Sequence, residues 1–187
     1  MGGLGPGIYA KSLQLLKEAV PKARRIAMLT NPTFALHAIF GADAESAAQR
    51  LKVTLKPVEV RSPDELDRAF ATIASEKIDA VLILGQPFLF GQRERVAKLA
   101  IEQRLPAMVP FDEVAEAGVL MSYGSRLLDD ARRLPYYVDR ILKGAKPADL
   151  PVEEATRFYL SINLKTARAI GVTIPQSVLL RADQVFE

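Results

Sequence analysis

Five short apolar runs, separated by longer amphipathic segments, occupy the middle of the chain. Valine, isoleucine, leucine and methionine dominate these runs, which is typical of strands buried on both faces of a sheet. The runs are RIAMLTN from Arg25, TLKPVEV from Thr54, DAVLILG from Asp79, PAMVP from Pro106 and VLMSYG from Val119.

The segments between the runs repeat apolar residues every three or four positions, which is the period of an amphipathic helix. One such helix has a clear start, because Ser62 can cap it, Pro63 suits its first position and Glu65 can complete a capping box. Strands that alternate with helices of this length form βαβ units around a parallel sheet. The sequence therefore predicts an α/β fold with a doubly wound parallel sheet that is complete over residues 25–123.

The two flanks predict further elements but no sheet of their own. Residues 1–24 contain the amphipathic stretch YAKSLQLLKEAV, which predicts an N-terminal helix and a linker. Residues 124–187 predict crossing segments, a helix that begins or kinks at Pro135, a return strand in RFYLSIN from Arg157, and a C-terminal tail. Within that tail, LKTARAIG predicts a short helix that ends at Gly171.

The composition narrows the chemistry that the chain can perform. The sequence has no cysteine and a single histidine, His37, which excludes disulfides, thiol nucleophiles and most histidine-based metal sites and triads. Its 25 basic and 22 acidic residues leave a net charge of +3, and the basic residues are scattered rather than clustered with aromatics. We therefore expect no metal, no cofactor and no nucleic-acid partner.

Neither a membrane span nor a leader is predicted. No stretch approaches the roughly 20 consecutive apolar residues that a transmembrane helix needs. The first residues, MGGLGPGIYAKSLQLL, lack a basic segment followed by an apolar one, so we expect this chain to carry no export signal.

The loops after the apolar runs hold the candidate site. In an open parallel sheet, ligands bind outside the carboxyl ends of the strands. The loops at those ends offer amides, hydroxyl groups, aromatic rings and one acid, which suit a small polar or aromatic molecule. The candidate ligand-binding residues are Asn31, Thr33, Phe34, Gln86, Pro87, Phe88, Phe111, Asp112 and Tyr123.

Several candidates also have a purely structural interpretation. Asn31 and Thr33 fit a turn and an N-cap before a helix that starts near Phe34. The aromatic residues of the loops fit local packing. Asp112 fits the N-cap of the short helix EVAEAG, which Gly118 would then end in a left-handed conformation.

Signatures of the common α/β enzymes are missing. The first run is followed by no glycine-rich dinucleotide motif or P-loop, and the sequence contains no G-x-S-x-G nucleophile elbow. Asn31 and Gln86 stand where a phosphoacceptor receiver domain has acids, and neutral amides favour binding over proton or phosphoryl transfer. We therefore expect a binding protein without catalytic residues, in which Asp112 is a ligand contact, a helix cap or both.

Three longer motifs carry a family resemblance. RLPAMVPFDEVAEAGVLMSYG, ILKGAKPADLPVE and INLKTARAIG closely resemble segments of the ABC transporter substrate-binding protein family, which includes tryptophan- and tyrosine-type solute receptors. The resemblance implies a type I periplasmic binding protein, in which two lobes joined by crossing strands close on a solute. It further implies delivery of that solute to a permease and its ATPase, with no covalent chemistry and a periplasmic location for the full-length protein.

The resemblance also assigns roles to the candidates. Residues 25–123 would be one complete lobe that supplies the loop residues to the cleft, and Tyr123 would lie at a crossing between lobes. Asp112 would pair with a ligand ammonium group if the solute is an amino acid.

The chain departs from the family at its beginning. Family members start with a leader and most of a first lobe, whereas this chain starts where that half ends, so we expect a lobe that lacks its N-terminal half-lobe partner and carries partial segments of the second lobe. Surface that would face the missing lobe should be apolar, which predicts self-association, with a homodimer as the simplest form.

Two other function classes remain open on the residues alone. A ligand-sensing regulatory domain of the sugar-repressor type shares the two-lobed plan, but would need a helix-turn-helix upstream. A flavodoxin-like enzyme domain shares the sheet, but the missing glycine-rich and acidic signatures argue against it.

Overall fold

A seven-stranded sheet forms the centre of the computed structural model, which describes residues 7–132, 134–151 and 157–187. The strand order is β2-β1-β3-β4-β5-β6-β7; β1 to β5 are parallel, β6 is antiparallel to β5, and β7 is parallel to β6. The strands are β1 Arg25–Thr30, β2 Thr54–Glu59, β3 Ala80–Ile83, β4 Ala107–Val109, β5 Met121–Gly124, β6 Tyr159–Asn163 and β7 Gln184–Phe186.

Helices cover both faces of this sheet. Ile26 of β1 belongs to one hydrophobic cluster and the next residue, Ala27, to a second, because successive strand residues point to opposite faces. The helices are α1 Ile8–Ala19, α2 His37–Leu51, α3 Leu66–Ser75, α4 Pro87–Gly91, α5 Arg93–Glu102, α6 Asp112–Glu116, α7 Leu127–Ala131, α8 Leu134–Leu142, α9 Leu164–Ile170 and α10 Gln176–Leu179. Short 3-10 helices occupy Pro63–Glu65 and Pro147–Asp149.

The predicted doubly wound α/β fold is confirmed. Each of the five apolar runs contains a strand, and β1 and β2 begin at the predicted Arg25 and Thr54. The return strand is β6, and α9 ends as predicted at Gly171, whose φ of 75° is left-handed. The sheet extends beyond residues 25–123, because β6 and β7 add to it and α1 packs into one of its two cores.

One predicted helix start and one predicted capping interaction are wrong in detail, although the helical segment at Pro63–Glu65 starts as predicted with Ser62 as its N-cap. The helix expected near Phe34 begins at His37, because the residues before it form a turn. Ser62 makes no side-chain capping bond, and the carboxylate of Glu65 accepts the backbone N–H of Arg61 at 2.8 Å instead of closing a capping box with Ser62.

The predicted effect of Pro135 is confirmed, since α8 begins at Leu134 and holds the proline in its first turn. The first six residues and residues 152–156, which belong to the predicted lead-in and to the loop of the ILKGAKPADLPVE motif, lie outside the described residues.

Gly124 lets β5 and the end of β4 approach closely. A Cβ atom built on Gly124 would lie 1.8 Å from the carbonyl oxygen of Pro110, which is a backbone atom and cannot turn away. Gly124 also pairs with Tyr159 across β5 and β6, so shifting it would disturb the register of that pair. Only glycine fits this position without moving the sheet.

We predict that Gly124→Ala lowers the free energy of unfolding by about 3 kcal/mol or more, because the added methyl group overlaps backbone rather than a flexible side chain. Urea denaturation followed by circular dichroism measures this change. Gly91→Ala is the matched control: its Cβ would meet nothing within 4 Å, so it should stay within about 1 kcal/mol of wild type. Equal stability of the two variants would contradict the close approach at Pro110.

Candidate functional site

The predicted site residues lie along one side of the sheet, here called the carboxyl-end edge. It is the side at which β1, β3, β4 and β5 end and at which the antiparallel β6 begins. Because β6 runs against β5, residues 157–158 also lie at this edge, next to Gly124 and Ser125. The nine candidates from the sequence all follow or end strands that finish here.

The amides of Asn31 and Gln86 join the ends of β1 and β3. Gln86 is 2% exposed, and its Oε1 accepts the backbone N–H of Asn31 at 2.8 Å. Its Nε2 donates to Oγ1 of Thr30 and to the carbonyl of Asn31, both at 3.3 Å. A buried amide needs such partners, so Gln86 fixes the two loops relative to each other.

Asn31 also forms the turn that delays α2. Its Oδ1 accepts the backbone N–H of Thr33 at 2.9 Å and the hydroxyl of Thr33 at 2.8 Å, which is an Asx turn. The turn interpretation therefore holds for both residues, whereas neither caps α2, whose N-cap is Leu36. Among the described residues, Nδ2 of Asn31 has no hydrogen-bond partner, so its donors are available to a ligand.

Two aromatic groups pack behind these loops. Phe90 and Phe111 meet edge to face with ring centroids 5.4 Å apart, and the guanidinium of Arg93 lies 5.3 Å from the centroid of Phe90. Phe34 lies 6.2 Å from Phe40, and Phe88 packs against the core beneath α4. Such contacts stabilise the loops and leave ring surface at the edge.

Tyr9 connects α1 to the same edge, although the sequence placed α1 in a flank. Its buried hydroxyl accepts the backbone N–H of Gly85 at 2.8 Å, directly after β3. Burial raises the pKa of the Tyr9 hydroxyl well above its ordinary value, so the group stays protonated. Asp43 of α2 holds the start of α1 in place, since its Oδ2 accepts the backbone N–H groups of Tyr9 and Ala10 at 3.0 and 3.1 Å.

Asp112 is held in an ion pair. Its two oxygens accept the hydroxyl of Ser122 at 2.9 Å and Nε of Arg126 at 2.8 Å, and its side chain is 13% exposed. Arg126 also donates to Oε1 of Gln184 at 2.6 Å, so the pair links α6 to β5 and β7. The predicted capping role is wrong, because the N-cap of α6 is Phe111 and Asp112 is the first residue of the helix.

Gly118 ends the segment after α6 with a φ of 122°, a positive angle that favours glycine, as predicted.

Arg126 also contacts an aromatic ring, since its guanidinium carbon lies 4.2 Å from the ring centroid of Tyr159. The hydroxyl of Tyr159 donates to Asp129 at 2.8 Å, and that hydrogen bond raises the pKa of Tyr159.

A small cavity opens where β5 meets β6. Tyr123 and Phe158 stack with centroids 5.9 Å apart and an interplanar angle of 30°. Together with Gly7, Ile8 and Lys11 they line a cavity of about 90 Å³. Sequence reasoning found Tyr123 but missed Lys11 and Phe158, because nothing in the local pattern shows that α1 and the antiparallel β6 reach this edge.

The described residues offer neither a metal cluster nor a membrane-spanning helix. They contain no cluster of three or more histidine, cysteine, aspartate or glutamate side chains that could hold a metal ion. None of their helices is long and apolar enough to cross a membrane.

Comparison with known proteins places this geometry in a family. The family model for ABC transporter substrate binding proteins matches residues 8–186. A tyrosine-binding protein of Clostridioides difficile (strain R20291) is 22% identical over 166 residues, which are 87% of this chain and 47% of that protein.

Two solved structures have a fold similar to that of this chain. An ABC domain from Streptococcus pneumoniae in complex with L-Trp superposes with a TM-score of 0.87 at 25% identity, covering 96% of this chain and 62% of that one. A conserved domain protein from Vibrio cholerae O1 biovar eltor gives the same TM-score and identity over 95% of this chain and 60% of its own. The chain thus spans about half to three fifths of the length of these relatives. It belongs to the ABC transporter substrate binding protein family.

Proposed function

We propose that this chain is the ligand-binding lobe of a solute receptor for an ABC importer, and that it binds a small molecule at its carboxyl-end edge. Proteins of this family bind small-molecule solutes and interact with ABC permeases. The observation that carries the proposal is the convergence of loop amides and aromatic rings at one edge of a chain that matches this family over nearly its whole length.

Eight of the nine candidate residues would have one of three roles at this edge. Gln86 and Pro87 hold the loop after β3, while Asn31 and Thr33 present polar groups after β1. Aromatic surface comes from the remaining loops and supports a flat or apolar solute: Phe34, Phe88, Phe111 and Tyr123. The bound L-Trp of the Streptococcus structure and the name of the Clostridioides protein support an amino acid or an aromatic compound as solute.

We propose that binding is the whole activity of this site. Asp112 is the one carboxylate among the candidates, and its bonds to Arg126 and Ser122 leave it poorly placed to accept a proton from a solute. The complete protein would act outside the cytoplasm, as is general in the family, and would deliver its solute to a permease and ATPase.

Titration of the isotope-labelled chain with L-tryptophan, L-tyrosine and benzoate, followed by NMR amide shifts, tests the proposed site. We expect at least one of them to shift the amides of Asn31, Gln86, Phe111 and Tyr123 with millimolar affinity, since one lobe supplies only part of the contacts. Lys52, Lys77 and Arg104 precede strands at the opposite edge and serve as internal controls. Shifts confined to those controls, or no shifts with any of the three solutes, would contradict the proposal.

We further propose that the isolated chain self-associates through α8. This helix buries none of its side chains, and its apolar residues recur on one stripe: Leu134, Val138, Ile141 and Leu142. Leu142 is 81% exposed, which is unusual for a side chain of that size within a continuous stripe. A second copy would cover the stripe of the first by the same contacts in reverse.

Light scattering during gel filtration measures this association. We expect a mass of twice the 20.5 kDa of one chain, and a shift to the single-chain mass in the double variant Val138→Glu with Leu142→Glu. Leu180→Glu is the matched control, because Leu180 is also 79% exposed but lies after α10. A monodisperse monomer for the wild-type chain would refute the association.

A further inference from the structure

Two acids near the carboxyl-end edge, Asp112 and Asp43, are already bonded to other groups. Asp112 is paired with Arg126 and hydrogen-bonded to Ser122. Asp43 is bonded to two backbone N–H groups at the start of α1. An ammonium group of a solute would therefore find no carboxylate available at these positions unless it displaced Arg126.

The ammonium group of Lys11, by contrast, has no acidic hydrogen-bond partner among the described residues. Its ammonium group donates to the neutral Oε1 of Gln14 at 3.3 Å, and no carboxylate lies within 4.0 Å of it among the described residues. Glu18, the acid on the same helix, is hydrogen-bonded to Gln14 at 2.8 Å and paired with Arg181. A half-buried cation without a carboxylate partner attracts an anion from solution.

The surroundings of Lys11 suit an aromatic anion. Lys11 lines the cavity that the stacked rings of Tyr123 and Phe158 close from the strand side. Its volume of about 90 Å³ is several times the 10–15 Å³ or so that one water needs, so it admits a larger group. An aromatic ring would find two rings to pack against, and an attached carboxylate would find the ammonium group beside them.

We propose that the solute is an aromatic carboxylate without an α-ammonium group, with its ring against Tyr123 and Phe158 and its carboxylate on Lys11. This inference rests on the solute-binding function proposed above and narrows it from amino acids and aromatic compounds to aromatic acids. An α-ammonium group would lie near Lys11, which has the same charge, and neither Asp112 nor Asp43 would be free to pair with it. The lobe therefore selects against zwitterions by charge rather than by shape.

Three probes that share a phenyl ring on a two-carbon chain separate these charges: phenylpropionate, L-phenylalanine and phenethylamine. NMR titration of the whole chain at neutral pH gives their affinities. We expect phenylpropionate to bind about tenfold more tightly than L-phenylalanine. The reason is that the ammonium group of L-phenylalanine would be repelled by Lys11 and would offset part of the attraction of its carboxylate. Phenethylamine, which has the repelled charge alone, should not bind measurably.

Variants of Lys11 test its role. Lys11→Gln should lower the affinity for phenylpropionate about tenfold, and Lys11→Arg should restore most of it, because the positive charge returns. Lys98→Gln is the matched control, since Lys98 is 75% exposed on α5 and pairs with Glu102 away from the edge. Unchanged melting temperatures show that the variants fold, because Lys11 is not part of either core.

The outcomes separate the two proposals. Equal or tighter binding of L-phenylalanine or phenethylamine than of phenylpropionate would overturn the charge selection but leave solute binding intact. Undiminished phenylpropionate affinity in Lys11→Gln would overturn the assignment of Lys11. Binding of L-tryptophan with no binding of phenylpropionate would likewise refute the aromatic-acid proposal alone, whereas failure of every probe would refute both proposals.

Discussion

The buried side chain of Gln86 is the link on which the carboxyl-end edge depends. Its amide is shielded from solvent, so its polar groups need protein partners, and all of these partners lie at the end of β1. The loops after β1 and β3 therefore cannot move independently. Tyr9 adds a second link through Gly85, the residue before Gln86, and so ties α1 to the same point. One buried amide and one buried hydroxyl thus set the shape of half the edge.

The other half of the edge depends on charge and on close backbone contact. Gly124, two residues before Arg126, lets β5 pass close to the backbone of Pro110. From there Arg126 reaches Asp112 and Gln184, so a single guanidinium joins the helix after β4 to the last strand. The bond to Arg126 is therefore structural, and it removes the charge of Asp112 from the set of groups that a solute can use.

The sequence predicts the strands well because their signal is local. Runs that are apolar at nearly every position fit a sheet covered on both faces, and the rule for ligand sites in such sheets then selects the loops at the carboxyl ends as candidates. What it misses depends on distance along the chain. Tyr9 meets Gly85 from 76 residues away and Arg126 meets Gln184 from 58, and no periodic pattern records such pairs. The Asx turn at Asn31 is local, but its residues serve equally well as helix caps, so the pattern could not place the start of α2.

The selectivity that we propose for this edge follows from which of its polar groups are already bonded within the fold. Gln86, Asp112 and Asp43 each hold a backbone or a side chain in place, and a solute could use them only by breaking bonds on which the loops depend. Other groups at this edge hold no loop in place among the described residues. They are Lys11, the Nδ2 of Asn31 and the stacked rings of Tyr123 and Phe158. These remaining groups are hydrogen-bond donors, a cation and aromatic faces. A lobe of this kind would favour a solute that combines negative charge with a flat apolar surface. The bonds that keep its loops rigid also occupy Asp112 and Asp43, so these acids could not pair with an ammonium group.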